Sequence, residues 1–374
     1  MKNIISVMLY ALITFGPLGC TMNVSPPTAP TPSEGSSPFP ATSAQNPDDA
    51  TESSKLTVPI TWADLNLRGK LVYSTISTNG INSAPKIQML DLETGEISTI
   101  FTSTENAWIY YLAVSPDATQ LVMSYTPPSQ TGSASGTRLY ILPLEEAPTP
   151  QILFMPPTPF DRYIQVEWSP DGKVLYFVHY NHEQQQANEP FPDYQISRMT
   201  YPGGQPEKIL EHAFWPRVSA DSSRLVYVTV DPESGTNQLF VANVDGSAPQ
   251  EIIFSGSSQI IDAPIFSPDG FSILFSAPSP AQAYQRNWLD RFMGVQIAKA
   301  HNVPSDWWSV PISGGTVTRL TQIQTIKLFA SISPDVKHIA SLSGEGILVM
   351  DLDGSNLRQL LFDPGVSGTL RWIP

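Results

Sequence analysis

Residues 167–178 read EWSPDGKVLYFV, a short turn sequence between two runs of strand-forming residues. Four further stretches repeat this pattern, namely AVSPDATQLVM (113–123), RVSADSSRLVYV (217–228), IFSPDGFSILF (265–275) and SISPDVKHIASL (331–342). The successive aspartates lie 54, 50, 48 and 66 residues apart and are Asp117, Asp171, Asp221, Asp269 and Asp335. Self-similarity at such a period is typical of a fold assembled from repeated units.

The Ser-Pro-Asp-Gly core of the repeat predicts a tight turn between two strands. Proline presets the backbone at the second position, the Ser and Asp oxygens hydrogen-bond nearby amides, and glycine accepts a positive φ. A third and a fourth strand follow in each copy, joined by turns such as DLDG at 351–354. Four strands per repeat is the content of one propeller blade. We therefore interpret the repeat aspartates, with Asp351 and Asp353, as turn residues rather than metal ligands or catalytic acids.

A sixth blade is visible before the first complete repeat. Residues 69–73 and 87–101 supply its second, third and fourth strands, but no first strand precedes them. The final residues, LRWIP at 370–374, copy the strand that precedes the turn in the other repeats. The sequence therefore predicts an all-β fold, a six-bladed β-propeller over residues 58–374 that is closed by the C-terminal strand.

These repeats resemble those of TolB and its WD-like β-propeller relatives, and the likeness covers the chain after residue 57. Relatives of this type include periplasmic interaction proteins and propeller domains attached to serine peptidases, so the resemblance implies the fold more than the function. The sequence has no G-x-S-x-G nucleophile elbow, and its C-terminus is needed to close the ring. The resemblance therefore favours a binding protein over a peptidase.

The N-terminus reads as an export signal. Lys2 is followed by 12 mainly apolar residues, 4–15, and then by small residues. This stretch is shorter than the roughly 20 residues that span a bilayer. It resembles a bacterial lipoprotein signal, since Gly19 and Cys20 match the cleavage motif, although Leu18 sits one position later than usual. We predict a signal peptide at 1–19 and lipidation of Cys20; the alternative is an ordinary secretory signal followed by an incidental thiol.

Residues 20–57 are rich in Pro, Ser and Thr and show no apolar periodicity. Such a segment buries too little apolar surface to offset chain entropy, so it predicts a flexible tether. We expect an exported, membrane-anchored lipoprotein, with the propeller held away from the membrane at the periplasmic or outer cell surface.

Composition excludes several kinds of partner and site. The 374 residues carry 20 Lys and Arg against 34 Asp and Glu, a net charge of -14, which argues against a nucleic-acid partner. The single cysteine excludes an internal disulfide and a multi-cysteine metal site. His179 and His182 form the closest histidine pair, but a third ligand is not evident. The sequence therefore predicts no metal and no cofactor.

One position of each first strand varies in polarity. It lies two residues before the repeat serine, between two apolar positions, and is occupied by Ala113, Glu167, Arg217, Ile265, Ser331 and, in the last strand, Arg371. Residues on the inner edge of a propeller face its central channel. Glu167, Arg217 and Arg371 are thus the candidate polar lining, predicted to hold water, an ion or a ligand tail; the alternative is an internal salt-bridge network.

The insertion at 278–306 explains the longest repeat spacing. Tyr284, Trp288 and Phe292 recur in it at helical intervals, which predicts a short amphipathic helix. Its apolar face either packs on the propeller or, with Trp307 and Trp308, forms a partner-binding or sugar-binding surface.

Two functions remain open from the sequence. The first is a non-catalytic binding or scaffold module for a protein, a peptide or an envelope polymer such as a polysaccharide. The second is an envelope hydrolase of glycan or peptide, with acidic residues at the channel mouth. A glycan hydrolase would need two carboxylates roughly 5 to 9.5 Å apart, on the face opposite the SPDG turns.

Overall fold

The structure is a computed structural model that describes residues 61–76, 84–128, 136–145, 148–183, 193–231, 236–255, 260–278 and 303–374. The predicted signal peptide and tether lie outside these ranges, as does nearly all of the 278–306 insertion. The boundary at residue 58 stays a prediction.

The described residues are almost entirely β-strand. One short helix, α1, spans Trp62–Leu65, and no helix within the described ranges is long and apolar enough to cross a membrane. The strands are, in chain order, β1 Lys70–Thr75, β2 Lys86–Asp91, β3 Ile97–Thr102, β4 Trp108–Val114, β5 Gln120–Thr126, β6 Arg138–Pro143, β7 Gln151–Ile152, β8 Asp161–Trp168, β9 Val174–Asn181, β10 Gln195–Thr200, β11 Glu207–Glu211, β12 Ala213–Val218, β13 Arg224–Val230, β14 Asn237–Asn243, β15 Gln250–Glu251, β16 Phe254–Ser255, β17 Asp262–Phe266, β18 Ser272–Pro278, β19 Ser305–Pro311, β20 Gly315–Thr316, β21 Thr318–Arg319, β22 Phe329–Ile332, β23 His338–Ser343, β24 Gly346–Asp351, β25 Arg358–Phe362 and β26 Val366–Ile373.

These strands form six four-stranded sheets, which are the six blades. From the innermost strand outwards, blade 1 is β26-β1-β2-β3, blade 2 is β4-β5-β6-β7, blade 3 is β8-β9-β10-β11, blade 4 is β12-β13-β14-β15, blade 5 is β17-β18-β19-β21 and blade 6 is β22-β23-β24-β25. A short parallel pair joins β16 to β20. The predicted six-bladed propeller is confirmed.

The C-terminal strand closes the ring. β26 is antiparallel to β1, with Lys70 opposite Ile373 and Thr75 opposite Val366. It also contacts β4 and β22, the inner strands of the two neighbouring blades. The closing strand begins at Val366, four residues before the predicted start, because a bulge between Tyr73 and Ser74 lets the pairing continue.

The repeat turns adopt one hydrogen-bonding arrangement. In each, the serine hydroxyl donates to the aspartate Oδ1 over 2.5 to 2.7 Å. The residue after the aspartate has a positive φ, between 55° and 71°, and is Ala118, Gly172, Ser222, Gly270 or Val336. The interpretation of the repeat aspartates as turn residues is confirmed, because each carboxylate is used in fixing its own turn.

Asp221 allows this turn to be tested in acid. Hydrogen bonds from Ser219 and Ser223 lower the pKa of Asp221 to about 2. Since the folded-state pKa lies below that of the unfolded chain, the stabilisation is present above about pH 4 and is lost as the pH falls towards 2. We expect Asp221→Asn to be less stable than wild type at pH 7 and to lose less stability between pH 4 and 2, measured as the free energy of unfolding in urea.

Ser219→Ala is the matched variant, because it keeps the carboxylate but removes the hydroxyl that lowers the pKa of Asp221 most. Its stability is also expected to depend less steeply on pH in this range. If the free energy of unfolding of both variants depended on pH as steeply as that of wild type, the role given to this turn would be contradicted.

Apolar positions of the inner strands pack the blades together. The residues one and three places before the repeat serine, and Trp372 and Leu370 at the matching positions of β26, are buried or half-buried. Trp168 is an example, since its indole lies in the core and its Nε1 donates to the carbonyl of Ala113 in blade 2, 3.1 Å away. Because side chains alternate along a strand, the residue between the two apolar positions faces the channel.

Candidate functional site

A cavity of about 370 Å³ lies in the central channel at the end that carries the SPDG turns, and we call it the channel chamber. All six inner strands contribute to its wall. The contributing residues include Val114, Glu167, Arg217, Ile265, Ser331 and Arg371, one from each blade. The structure thus brings the three predicted channel residues, Glu167, Arg217 and Arg371, together in one cavity.

Glu167 is the centre of a buried ionic network. Its Oε2 accepts a hydrogen bond from Nη1 of Arg217 and forms an ion pair with Nη2 of Arg371. The side chains of Glu167 and Arg217 are 10% and 8% exposed, whereas that of Arg371 is 21% exposed. Arg371 and Glu167 belong to blades 1 and 3, which are separated along the ring by blade 2. The network predicted as the alternative reading of these residues is therefore present.

Both arginines of the network are charged. Burial lowers the pKa of Arg217 and of Arg371 to about 10, so both remain protonated at neutral pH. Their Nε atoms are buried without a hydrogen-bond partner in the described part of the chain. Glu167 is the one carboxylate side chain in the described lining. Both guanidinium groups are therefore paired with the same carboxylate side chain, and the lining also includes Pro374.

The wall opposite this network is mainly apolar, with Ser267 and Ser331 as its polar residues. Blade 5 contributes Ile265 and Phe266, and blade 6 contributes Ala330 and Ile332. The chamber thus has an ionic half and a mainly apolar half.

An aromatic layer occupies the channel next to the chamber. Tyr111, Trp215 and Phe329 lie two residues before the channel-facing positions of blades 2, 4 and 6. Trp215 contacts Tyr111 and Phe329 with ring centroids 5.4 and 5.3 Å apart, and only 1% of Trp215 and 4% of Phe329 is exposed. The sequence-based predictions do not include this layer, although the same alternation continued by two residues along each strand leads to it.

A strained bulge holds the largest ring of this layer. Trp215 has a φ of 58° at an irregularity in the pairing of β12 with β13. Its backbone N–H donates to Oε1 of Gln165 in blade 3 over 2.8 Å. Positive φ is unusual for a bulky residue and persists where surrounding contacts impose it. Packing between blades therefore fixes the position of the Trp215 ring in the aromatic layer next to the chamber.

Trp307 does not lie on the predicted aromatic surface. This residue is fully buried and its Nε1 donates to Oγ of Ser341 over 3.0 Å, because the alternation of β19 turns it into the core. Trp308 is half-buried, and the Arg319 guanidinium lies 5.7 Å from its ring centroid. Trp288 and Phe292 lie outside the described residues, so their part of the prediction stays open.

Two acidic residues at the end of the blades opposite the SPDG turns are hydrogen-bonded to side chains of the protein itself. Asp161 is hydrogen-bonded to His179 over 2.8 Å, and Asp306 accepts a hydrogen bond from Arg319 over 2.6 Å. Burial opposes ionisation of Asp161, but hydrogen bonds from His179 and Thr158 bring its pKa below the ordinary value. A general acid of glycoside hydrolysis needs the reverse, a raised pKa. These contacts give both carboxylates a structural role.

Comparisons with known proteins support the fold. No protein-family model and no curated protein matches the sequence. A protein of Agrobacterium tumefaciens assigned as TolB is 18% identical and has a TM-score of 0.56, over 81% of this chain and 99% of that one. TolB from Acinetobacter baumannii is 17% identical and has a TM-score of 0.57, over 81% of this chain and 66% of that one. The described part of this chain is therefore a six-bladed β-propeller that is similar in fold to these TolB structures.

Proposed function

We propose that this protein is an exported lipoprotein whose propeller binds an envelope protein, peptide or polymer without chemistry, with the channel chamber as its binding site. The observation that carries the proposal is the convergence of all six inner strands on one cavity that contains a buried ionic network. A rigid scaffold with a few polar groups in an otherwise apolar cavity is the usual form of a ligand site.

The composition of the chamber supports binding over catalysis. Its one carboxylate side chain, that of Glu167, is engaged by two arginines, and its described lining contains no histidine or cysteine. Serines lie in the wall, but Ser115 and Ser267 donate to the aspartates of their own turns. A serine nucleophile needs an adjacent base that takes its proton.

Substitution of Cys20 tests the proposed membrane anchoring. In cells that produce the full chain, Cys20→Ser is expected to move the protein from the membrane fraction to the soluble exported fraction, because stable anchoring requires the acyl chains. Ser25→Ala, in the predicted tether, is the control and should stay with the membrane. An unchanged membrane fraction for Cys20→Ser would contradict the lipoprotein proposal.

Partner binding is tested by obstructing the chamber. Val336 lines the chamber and is 47% exposed, so Val336→Trp should narrow the chamber at a site outside the core. Ser222 occupies the same turn position in blade 4, with a φ of 60° against 61° for Val336, but lies outside the lining. After cross-linking in intact cells, Val336→Trp should lose the partners that wild type and Ser222→Trp both retain. Equal capture by all three would contradict binding at the chamber.

A further inference from the structure

We infer that residues 61–69 form a clasp that locks the ring at its closing blade and bears tension on the N-terminal side before the closing strands do. The inference rests on the proposed function for the source of that tension, a pull from the membrane anchor through the predicted tether. The clasp includes α1, directly precedes β1 and contacts both blade 1 and blade 6.

Trp62 holds the clasp on the turn between β2 and β3 of blade 1. Its indole Nε1 lies so close to Gly95 that a Cβ at this position would overlap it, and glycine leaves room for the ring. Asp91 fixes the turn, because its Oδ1 accepts hydrogen bonds from the backbone N–H groups of Glu93 and Thr94 over 3.0 Å. Trp62 therefore rests on a preformed surface.

Two leucines of the clasp contact blade 6. Leu67 is 6% exposed and belongs to the same core cluster as Val349 of β24. Leu65 is half-buried, and together with Leu67 it lines a small cavity whose other walls include Val349 and Met350. The clasp therefore lies across the boundary between blade 6 and blade 1, and blade 1 is the blade that both ends of the propeller sequence build.

Hydrogen bonds join the end of the clasp to the closing blade. Nε1 of Trp372 in β26 donates to the carbonyl of Arg68 over 2.8 Å, and the N–H of Leu92 donates to the carbonyl of Gly69 over 3.0 Å. The backbone at Gly69 passes so close to the carbonyl of Ile373 that a Cβ there would overlap the oxygen. The clasp is thus bonded on both sides of β1, to β26 and to the residue that follows β2.

The position of the clasp determines where a pull acts. β1 begins at Lys70, which lies opposite Ile373 at the end of the antiparallel pair. A pull applied directly to Lys70 would separate this pair first and the following pairs of the closing blade one after another. With the clasp in place, its apolar contacts and its bond to Trp372 must break before Lys70 is loaded. Because forced unfolding is limited by the unfolding rate, contacts that must break on the way to the transition state slow the opening of the ring.

Hydrogen exchange tests the lock without applied force. In Trp62→Ala, the backbone amides of 366–373 should exchange at least about tenfold faster than in wild type, since local opening of the closing strand no longer displaces the clasp. The amides of β13, in blade 4, should keep the wild-type rate. Trp108→Ala removes an exposed tryptophan of an inner strand and is the matched control, with no change expected at 366–373.

Unchanged exchange at 366–373 in Trp62→Ala, or an equal increase in β13, would overturn the inference. Leu65→Ala, at a half-buried position of the clasp, is measured in the same way and decides the question should Trp62→Ala fail to fold.

Pulling on single molecules tests the mechanical role. The unlipidated full chain is held at Cys20 and, through Lys173→Cys, at a side chain that is 77% exposed in blade 3. At constant force, Trp62→Ala should unfold at least about tenfold faster than wild type in this geometry. In chains that carry Cys20→Ser and are held at residues 173 and 250, in the neighbouring blades 3 and 4, the force bypasses the clasp, and both proteins should unfold at similar rates. An equal acceleration in the two geometries would indicate general destabilisation and overturn the inference.

The two proposals can fail separately. Retention of Cys20→Ser in the membrane fraction would overturn the lipid anchor, while the exchange and pulling measurements still decide the clasp. Unchanged exchange at 366–373 in the clasp variants would overturn the clasp and leave the anchor and the channel chamber in place.

Discussion

Deletion of residues 366–374 is expected to abolish cooperative folding of the propeller. The deletion removes the inner strand of blade 1, and with it the buried side chains of Val366, Leu370 and Trp372. Burial of each such side chain contributes about 1.5 to 3 kcal/mol, and the hydrogen bonds to β1 are lost as well. The loss is comparable with the whole stability of a folded domain, about 5 to 15 kcal/mol. Urea unfolding followed by tryptophan fluorescence measures it.

A permuted chain provides the control for this deletion. Ile373 lies opposite Lys70 in the antiparallel pair, so the end of β26 is next to the start of β1. Residues 364–374 placed before residue 61 through a flexible linker should therefore pair with β1 and restore a cooperative transition. Cooperative unfolding of the truncated chain at the wild-type midpoint would show that closure by β26 is dispensable.

Trp215→Ala is expected to lower the free energy of unfolding by about 3 to 5 kcal/mol, the range for large aromatic side chains in a core. The indole fills the channel between Tyr111 and Phe329, and the smaller side chain would leave a cavity that these rings cannot close. The positive φ persists in the variant, so no strain is relieved to offset the loss. The measurement is again equilibrium unfolding in urea.

Trp108→Ala is the matched control for this substitution. Trp108 is also on an inner strand, but it is 52% exposed, so its replacement should change the free energy of unfolding by no more than about 0.5 kcal/mol. An equal decrease in the free energy of unfolding for the two variants would contradict the interpretation of the aromatic layer as a packed part of the core.

The candidate site was only partly predictable from the sequence. Alternation along the inner strands was sufficient to place Glu167, Arg217 and Arg371 on the channel. It could not show that both arginines converge on one carboxylate oxygen, since this depends on the distances between blades 1, 3 and 4. The same limit explains Trp307 and Trp308. Neighbouring tryptophans on a strand face opposite sides, and the sequence does not state which side is the core.

The repeat sequences were sufficient for the number of blades, for the turn chemistry and for the identity of the closing strand. Each of these depends on local propensity or on a pattern that recurs along the chain. The volume of the chamber, the ionic network within it and the aromatic layer next to it required the folded ring. They arise where six strands distant in sequence meet at one axis, and no local pattern encodes the distances between them.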